Sequence, residues 1–109
     1  MISYFVRYDG HSADPEGFLG HYRIDHARLL KRFDGIQGLT LHTPVDWTDP
    51  CPVQKGGLSL PAQITFESTE ALNRGLASDA RRIARADFQN FQNFDGQIYH
   101  QALLAEKIF

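Results

Sequence analysis

Cys51 is the only cysteine in the chain, so no internal disulfide can form and a reducing compartment is expected. Acidic and basic side chains nearly cancel, leaving a formal net charge of −2. That balance draws the chain neither to nucleic acid nor to an anionic membrane, and neither partner is expected. Apolar runs are short, and none approaches the roughly 20 residues of a membrane-spanning helix. The N-terminus lacks the basic start, apolar stretch and small-residue cleavage site of a signal peptide, so a cytoplasmic location is the expectation. No serine sits in a G-x-S-x-G elbow, and no glycine loop is built to cradle phosphate. Cys51 itself stands between two prolines with no adjacent base or helix N-terminus, so it is not read as a nucleophile.

What is present fits one ordinary globular domain spanning residues 1–109, with 42% hydrophobic and 22% charged residues. "MISYFVRY" alternates as a strand, with Ile2, Tyr4, Val6 and Tyr8 on one face. "DGHSADPEG" reads as a turn, from which Asp14 and Pro15 launch a helix to about Arg32. Gly17 and Gly20 weaken its start by about 1 kcal/mol each. "GIQGLTLHT" predicts a second strand. The proline- and glycine-broken segment 44–61 predicts a long loop, acting as a lid or an interface arm. "AQITFES" is the third strand, and "STEALNRGLAS" and "DARRIARADFQNFQNF" are two helical pieces. "GQIYHQALLAEKIF" is the last strand. This βαββαβ order makes a four-stranded antiparallel sheet with helices on one face, an α+β fold. The other, half-apolar sheet face then needs a cover, and dimerisation through it is expected.

His26 is the most informative single residue. With Phe18 at zero and ~100° per residue, Tyr22 falls at ~40°, Leu29 at ~20°, Phe33 at ~60° and Leu30 at ~120°. His26 falls at ~80°, inside that apolar stripe, so a helix turns it toward the sheet. Asp25 lies at the stripe edge, a weak candidate partner for the ring. An inward imidazole has two readings. One is a core histidine held by a hydrogen bond, because an unbonded buried ring costs stability. The other is a general acid or base in a pocket between helix and sheet, since histidine titrates near neutrality.

Phe18, His21, Tyr22, His26 and Leu29 form the pattern F-x-x-H-Y-x-x-x-H-x-x-L. "FDGIQGL" follows with a glycine turn into a strand, and "ITFESTEALNRGLAS" adds a strand ending in phenylalanine and an alanine- and leucine-rich helix. Together these resemble the EthD family of the dimeric α+β barrel superfamily, over nearly the whole chain. The resemblance implies a ferredoxin-like subunit, and a homodimer whose two sheets face each other. It also implies a pocket in which His26 takes the position of the family's recurrent pocket histidine. Similar folds include muconolactone-type isomerases, polyketide cyclases and dehydratases, and cofactor-free oxygenases. The chemistry so implied is proton transfer on small cyclic carbonyl or phenolic compounds, with no metal or organic cofactor.

Other groups carry less. His21 and His26 are separated by ~140° on a helix and cannot share a metal as i, i+4 pairs do. His42 and His100 lie on predicted strands, where a three-histidine metal site or a haem ligand is conceivable but has no motif behind it. Tyr99 and Gln101 share one face of the last strand and His100 takes the other. "DARRIARAD" is expected to be a solvated face with local ion pairs, bracketed by Asp79 and Asp87. Phe88, Phe91 and Phe94 are expected to anchor the helix end or to wall the pocket in part.

The sequence thus supports a small cofactor-free enzyme of secondary or degradative metabolism, with His26 as general acid or base. Tyr22, Phe18, Trp47, Tyr99 and His100 are the candidate substrate contacts, and a small apolar or aromatic molecule is the ligand. The alternative is a non-catalytic binding or accessory protein of a degradation pathway that uses the same pocket.

Overall fold

A computed structural model describes residues 1–91 and 94–109. Strand β1 (Ile2–Ser12) is followed by α1 (Pro15–His21), a wide helical turn (Tyr22–His26) and α2 (Ala27–Leu30). Then come β2 (Ile36–Leu41), β3 (Ser59–Phe66), α3 (Thr69–Leu76), α4 (Asp79–Ala86), a tighter 3-10 turn (Asp87–Asn90) and β4 (Phe94–Leu104). The four strands form one sheet in the order β2-β3-β1-β4, with every neighbouring pair antiparallel. This is the expected α+β, ferredoxin-like arrangement.

Alternation sorts the strand side chains. Tyr4 and Tyr8 of β1 and Ala62, Ile64 and Phe66 of β3 are buried beneath the helices. Phe18, Tyr22, Leu30, Phe33, Leu72, Ala84 and Phe91 pack onto them from the other layer. Each large apolar side chain buried this way contributes about 1.5–3 kcal/mol. Polar caps set where the helices begin. Asp14 accepts from the Gly17 amide at 3.0 Å, Ser68 from Ala71 at 3.1 Å and Ser78 from Arg81 at 3.3 Å.

Several segments depart from the sequence expectation. Ser59–Pro61, expected in the 44–61 loop, already belongs to β3 and pairs with Arg7–Asp9. Asp9–Ser12 continues β1 rather than turning, and pairs with Phe94–Gln97. An Asp-Gly step commonly signals a turn. Here Gly10 faces Gly96 across the ladder, with φ of 145° and 152°. A Cβ on Gly10 would lie 2.2 Å from the Asp95 carbonyl oxygen, so only a glycine pair permits this backbone approach. Helix α4 stops at Ala86 and tightens into the 3-10 turn, whereas the pattern predicted helix through residue 94. Of that stretch, Gln92 and Asn93 lie outside the described residues. Residues 105–109 follow the last strand without regular structure, although the Ala105 amide still donates to the Met1 carbonyl at 2.9 Å.

The wide turn sets which side chains of its helical segment face the sheet. The Ala27 amide reaches back five residues to the Tyr22 carbonyl, so the turn holds an extra residue. Phe18, Tyr22, His26 and Leu30 recur every four residues, and on a regular α-helix each step would drift ~40° around the axis. The wide turn absorbs part of that drift, and all four side chains end up buried. Leu30 is buried and Leu29 partly buried, so both lie on the apolar stripe that the helical spacing predicts.

Candidate active site

Between the helical layer and the sheet lies a cavity of about 410 Å³, within the size range of small-molecule sites. Tyr4, Val6 and Tyr8 of β1, Ile64 of β3, and Ile98 and His100 of β4 form its floor. Tyr22, His26, Leu30 and Phe33 come from the first helical segment and its exit. Arg81, Ala84, Arg85 and Phe88 form its other helical wall. Their i, i+3, i+4, i+7 spacing is one helix face.

His26 is 6% exposed and keeps that contact with the cavity. Its Nδ1 lies 2.9 Å from Asp87 Oδ2, and the same oxygen is 2.9 Å from His21 Nε2. Asn90 Nδ2 donates to the other Asp87 oxygen at 2.9 Å. A carboxylate only accepts, so His26 donates from Nδ1, and its neutral tautomer leaves Nε2 with a lone pair. Nε2 has no hydrogen-bond partner among the described residues. The ring is held from the sides by Tyr22 and Phe91, each with its centroid 5.0 Å away. His21 Nδ1 faces Asp25 at 3.3 Å. Asp25 therefore serves His21, and the acid on His26 is Asp87.

Burial pushes the His26 imidazole below its ordinary value, against the hydrogen bond and charge of Asp87, which act in the opposite direction. The ring is thus neutral at pH 7, a base in waiting. Burial also works to raise the Asp87 carboxyl, but hydrogen bonds from Asn90, His26 and His21 outweigh it and hold Asp87 low and ionised. The Asp–His pair fixes the tautomer and would stabilise an imidazolium, as a carboxylate does in a catalytic triad.

Tyr8 and Tyr22 are buried, line the cavity, and their hydroxyls have no partner among the described residues. Burial pushes the Tyr8 phenol up to about 12 and raises Tyr22 as well, so both remain protonated donors. Tyr4 is also a lining phenol, raised by burial, with His100 Nδ1 2.6 Å from its hydroxyl. Burial, then the charges of Arg85 and Arg81, keep His100 low and neutral.

Of the residues expected from the sequence, the cavity brings together His26, Tyr22 and His100. Phe18 packs in the core against Tyr8, Phe91 and Phe94 and does not line the cavity. Trp47 lies in the exposed loop, under the Lys55 ammonium at 4.6 Å. Tyr99 points from the opposite sheet face, half exposed, with the Arg7 guanidinium 4.9 Å over its ring. Alternation along β4 puts Tyr99 and His100 on opposite faces, so one strand position decides between them. Phe88 walls the cavity, while Phe91 and Phe94 pack behind it against Phe18.

The solvated-face expectation for α4 holds for Arg82, which donates to Asp79 at 2.8 Å, and in part for Arg85, which is exposed but also lines the cavity, whereas Arg81 is partly buried against it. Sequence reasoning missed Arg81, Arg85, Tyr4 and Asp87. Asp87 did leave a signal: it sits three residues after Ala84 and four before Phe91, both buried, on the edge of an apolar stripe. Among the described residues, no group of three or more His, Cys, Asp or Glu side chains is placed to hold a metal ion. No helix among them is long and apolar enough to cross a membrane.

The fold is shared with known proteins. An EthD-family protein from Bacillus halodurans superposes with a TM-score of 0.73 at 16% identity, covering 97% of this chain and 100% of that one. SnoaB, a cofactor-independent oxygenase from Streptomyces nogalater, gives 0.66 at 17% identity, covering 97% and 93%. A monooxygenase from the ActVA-Orf6 gene of Streptomyces coelicolor, in complex with nanaomycin D, gives 0.69 at 13% identity, covering 99% and 89%. No family model and no curated protein sequence matches the chain. At these identities the likeness establishes the fold, and the chemistry has to be argued from the site.

Proposed function

We propose that the protein is a small enzyme that transfers a proton on a cyclic carbonyl or phenolic compound without a bound cofactor, with His26 as the base. The observation that carries this reading is the 2.9 Å Asp87–His26 contact, which leaves Nε2 free in a mostly apolar cavity. Nε2 removes a proton from a carbon or oxygen acid of the substrate, and Asp87 stabilises the imidazolium that forms. The electron pair released moves onto the neighbouring oxygen, giving an enolate or phenolate. A tyrosine hydroxyl donates to that oxygen. The imidazolium then returns the proton, at a second carbon in an isomerisation or to a departing oxygen in a dehydration. Tyr22, one turn from His26, orients the substrate. The fold's use by a cofactor-independent oxygenase, and by a monooxygenase seen holding nanaomycin D, supports a small cyclic molecule in this cavity.

We further propose a homodimer formed through the sheet face opposite the helices. That face carries a half-buried Phe5 and half-exposed Tyr99 and Leu103.

The test is an NMR titration of His26, assigned with His26→Asn, with and without small lactones, phenols and cyclic ketones. A ring that titrates and shifts with one compound class supports the proposal and identifies a substrate to assay for turnover. A ring that never titrates and ignores every compound would overturn it.

A further inference from the structure

The same cavity holds a second polar cluster that the proton-transfer reading does not require. His100 Nε2 lies 3.5 Å from Arg85 Nη1. A guanidinium only donates, so Nε2 must accept, and the neutral ring carries its proton on Nδ1. That proton is donated to Tyr4 Oη at 2.6 Å. Arg81 Nη2 donates to the same oxygen at 3.4 Å. The Tyr4 oxygen thus accepts from two neighbours, and its own hydrogen is left to point elsewhere. Neither Arg81 nor Arg85 forms an ion pair with a carboxylate among the described residues, while Arg7, Arg74 and Arg82 each do. Arg85 is exposed yet lines the cavity, so it stands where the cavity meets solvent. Asp87, the acid behind His26, is already occupied by two histidines and Asn90. The cavity is therefore polarised, with a carboxylate-backed base in one part and two unneutralised guanidinium groups in another.

We infer that Tyr4, Arg81 and Arg85 form an anion subsite that selects cyclic or aromatic substrates bearing a carboxylate or an ionised enol or phenol. The anionic oxygen takes the Tyr4 hydroxyl hydrogen and guanidinium N–H bonds, which are stronger for a charged acceptor. The ring system lies against Val6, Ile64, Ala84 and Ile98. His100 is a positioning residue: it accepts from Arg85 and donates to Tyr4, aiming the phenol. The inference rests on the cavity being the ligand site, and it does not depend on His26 being the base.

The experiment compares 2-naphthoate with its uncharged analogue 2-naphthamide by calorimetric titration of the full chain. The naphthoate is expected to bind on the order of tenfold more tightly, equal to about 1.4 kcal/mol. Arg81→Gln and Arg85→Gln should each remove most of that preference, with thermal unfolding confirming that the variants fold. Tyr4→Phe should weaken the naphthoate more than the amide. His26→Asn should leave the preference in place, which separates this subsite from the proton-transfer proposal. Equal binding of the two probes, a preference that survives both arginine variants, or no binding of either probe would overturn the inference.

Discussion

His26 and Asp87 are 61 positions apart in the chain and 2.9 Å apart in the fold. One comes from the wide turn after α1, the other from the first residue beyond α4, where that helix tightens and swings its carboxylate inward. Asp87 therefore reports on two elements at once. It ties the two helical segments together through His21 and His26, and it decides which nitrogen of His26 is free.

Replacing His26 by asparagine keeps a donor beside Asp87 and removes the base. Turnover on the identified substrate is expected to fall ~10²–10⁴-fold, while unfolding free energy drops by only about 1 kcal/mol. Paired kinetic and denaturation measurements check this. A stability loss with unchanged turnover would assign His26 a purely structural part.

Asp87→Asn tests the tautomer. Asn90 already donates to Asp87 Oδ1, so the new amide keeps its oxygen there and turns its NH₂ toward the histidines. His26 Nδ1 must then accept, and its proton moves to Nε2, where it blocks the lone pair. Nitrogen-15 NMR of the ring should show the switch, and turnover should fall nearly as far as in His26→Asn. The His26 imidazole should also titrate lower still, because Asp87 is what raises it.

The acid limb of kcat/KM should lie below the ordinary histidine value near 6.5, since burial lowers His26 and the neutral ring is the active form. Stability has the same sign. The unfolded chain binds the proton more readily, so the contribution of His26 is whole above about pH 6.5 and is lost as pH falls through the lowered value. His100 acts likewise. Asp87, also held low, adds a further loss below its ordinary range, near pH 3.8. Thermal unfolding between pH 8 and 3 should show a midpoint that declines on acidification in these two stages.

Gly10→Ala should lower stability by at least about 2 kcal/mol, or roughly 10 °C in Tm. The added methyl meets the Asp95 carbonyl on a strand that cannot retreat without unzipping the end of β1 from β4. Gly96→Ala should cost as much, since its Cβ would press on the Asp9 carbonyl. Differential scanning calorimetry of both variants checks the pair.

Tyr99→Asp combined with Leu103→Asp places two charges on the open sheet face. A dimer seen by size-exclusion chromatography with light scattering should become a monomer. An assembly unchanged by both charges would move the interface elsewhere.

The sequence made the sheet and the inward turn of His26 legible because both rest on local periodicity. The alternation in β1 and the four-residue recurrence of Phe18, Tyr22 and His26 are written in consecutive residues. The partner of His26 was not legible. Asp25 was close in sequence and Asp87 was not, and a single chain of letters carries no distance across 61 positions. The arginines of α4 misled for a different reason. A guanidinium on a helix is usually solvated, and only the position of Tyr4 and His100 beneath that helix shows that Arg81 and Arg85 line a cavity. The Gly10–Gly96 pair hid because Asp-Gly has a local meaning that the facing strand overrules.

The wide turn at Tyr22–His26 also makes the chain sensitive to its own length at that point. Deleting one residue there would close the turn to ordinary helical pitch and leave the backbone bonds satisfied. Leu30, beyond the turn, would keep nearly its present phase toward the sheet, because the turn already spends the extra residue within itself. The change would fall on Tyr22–His26 itself, where the position removed decides whether an imidazole still stands opposite Asp87. The extra residue acts as a shim inside the turn, between the helix that starts under Asp14 and the cavity that the helix must reach.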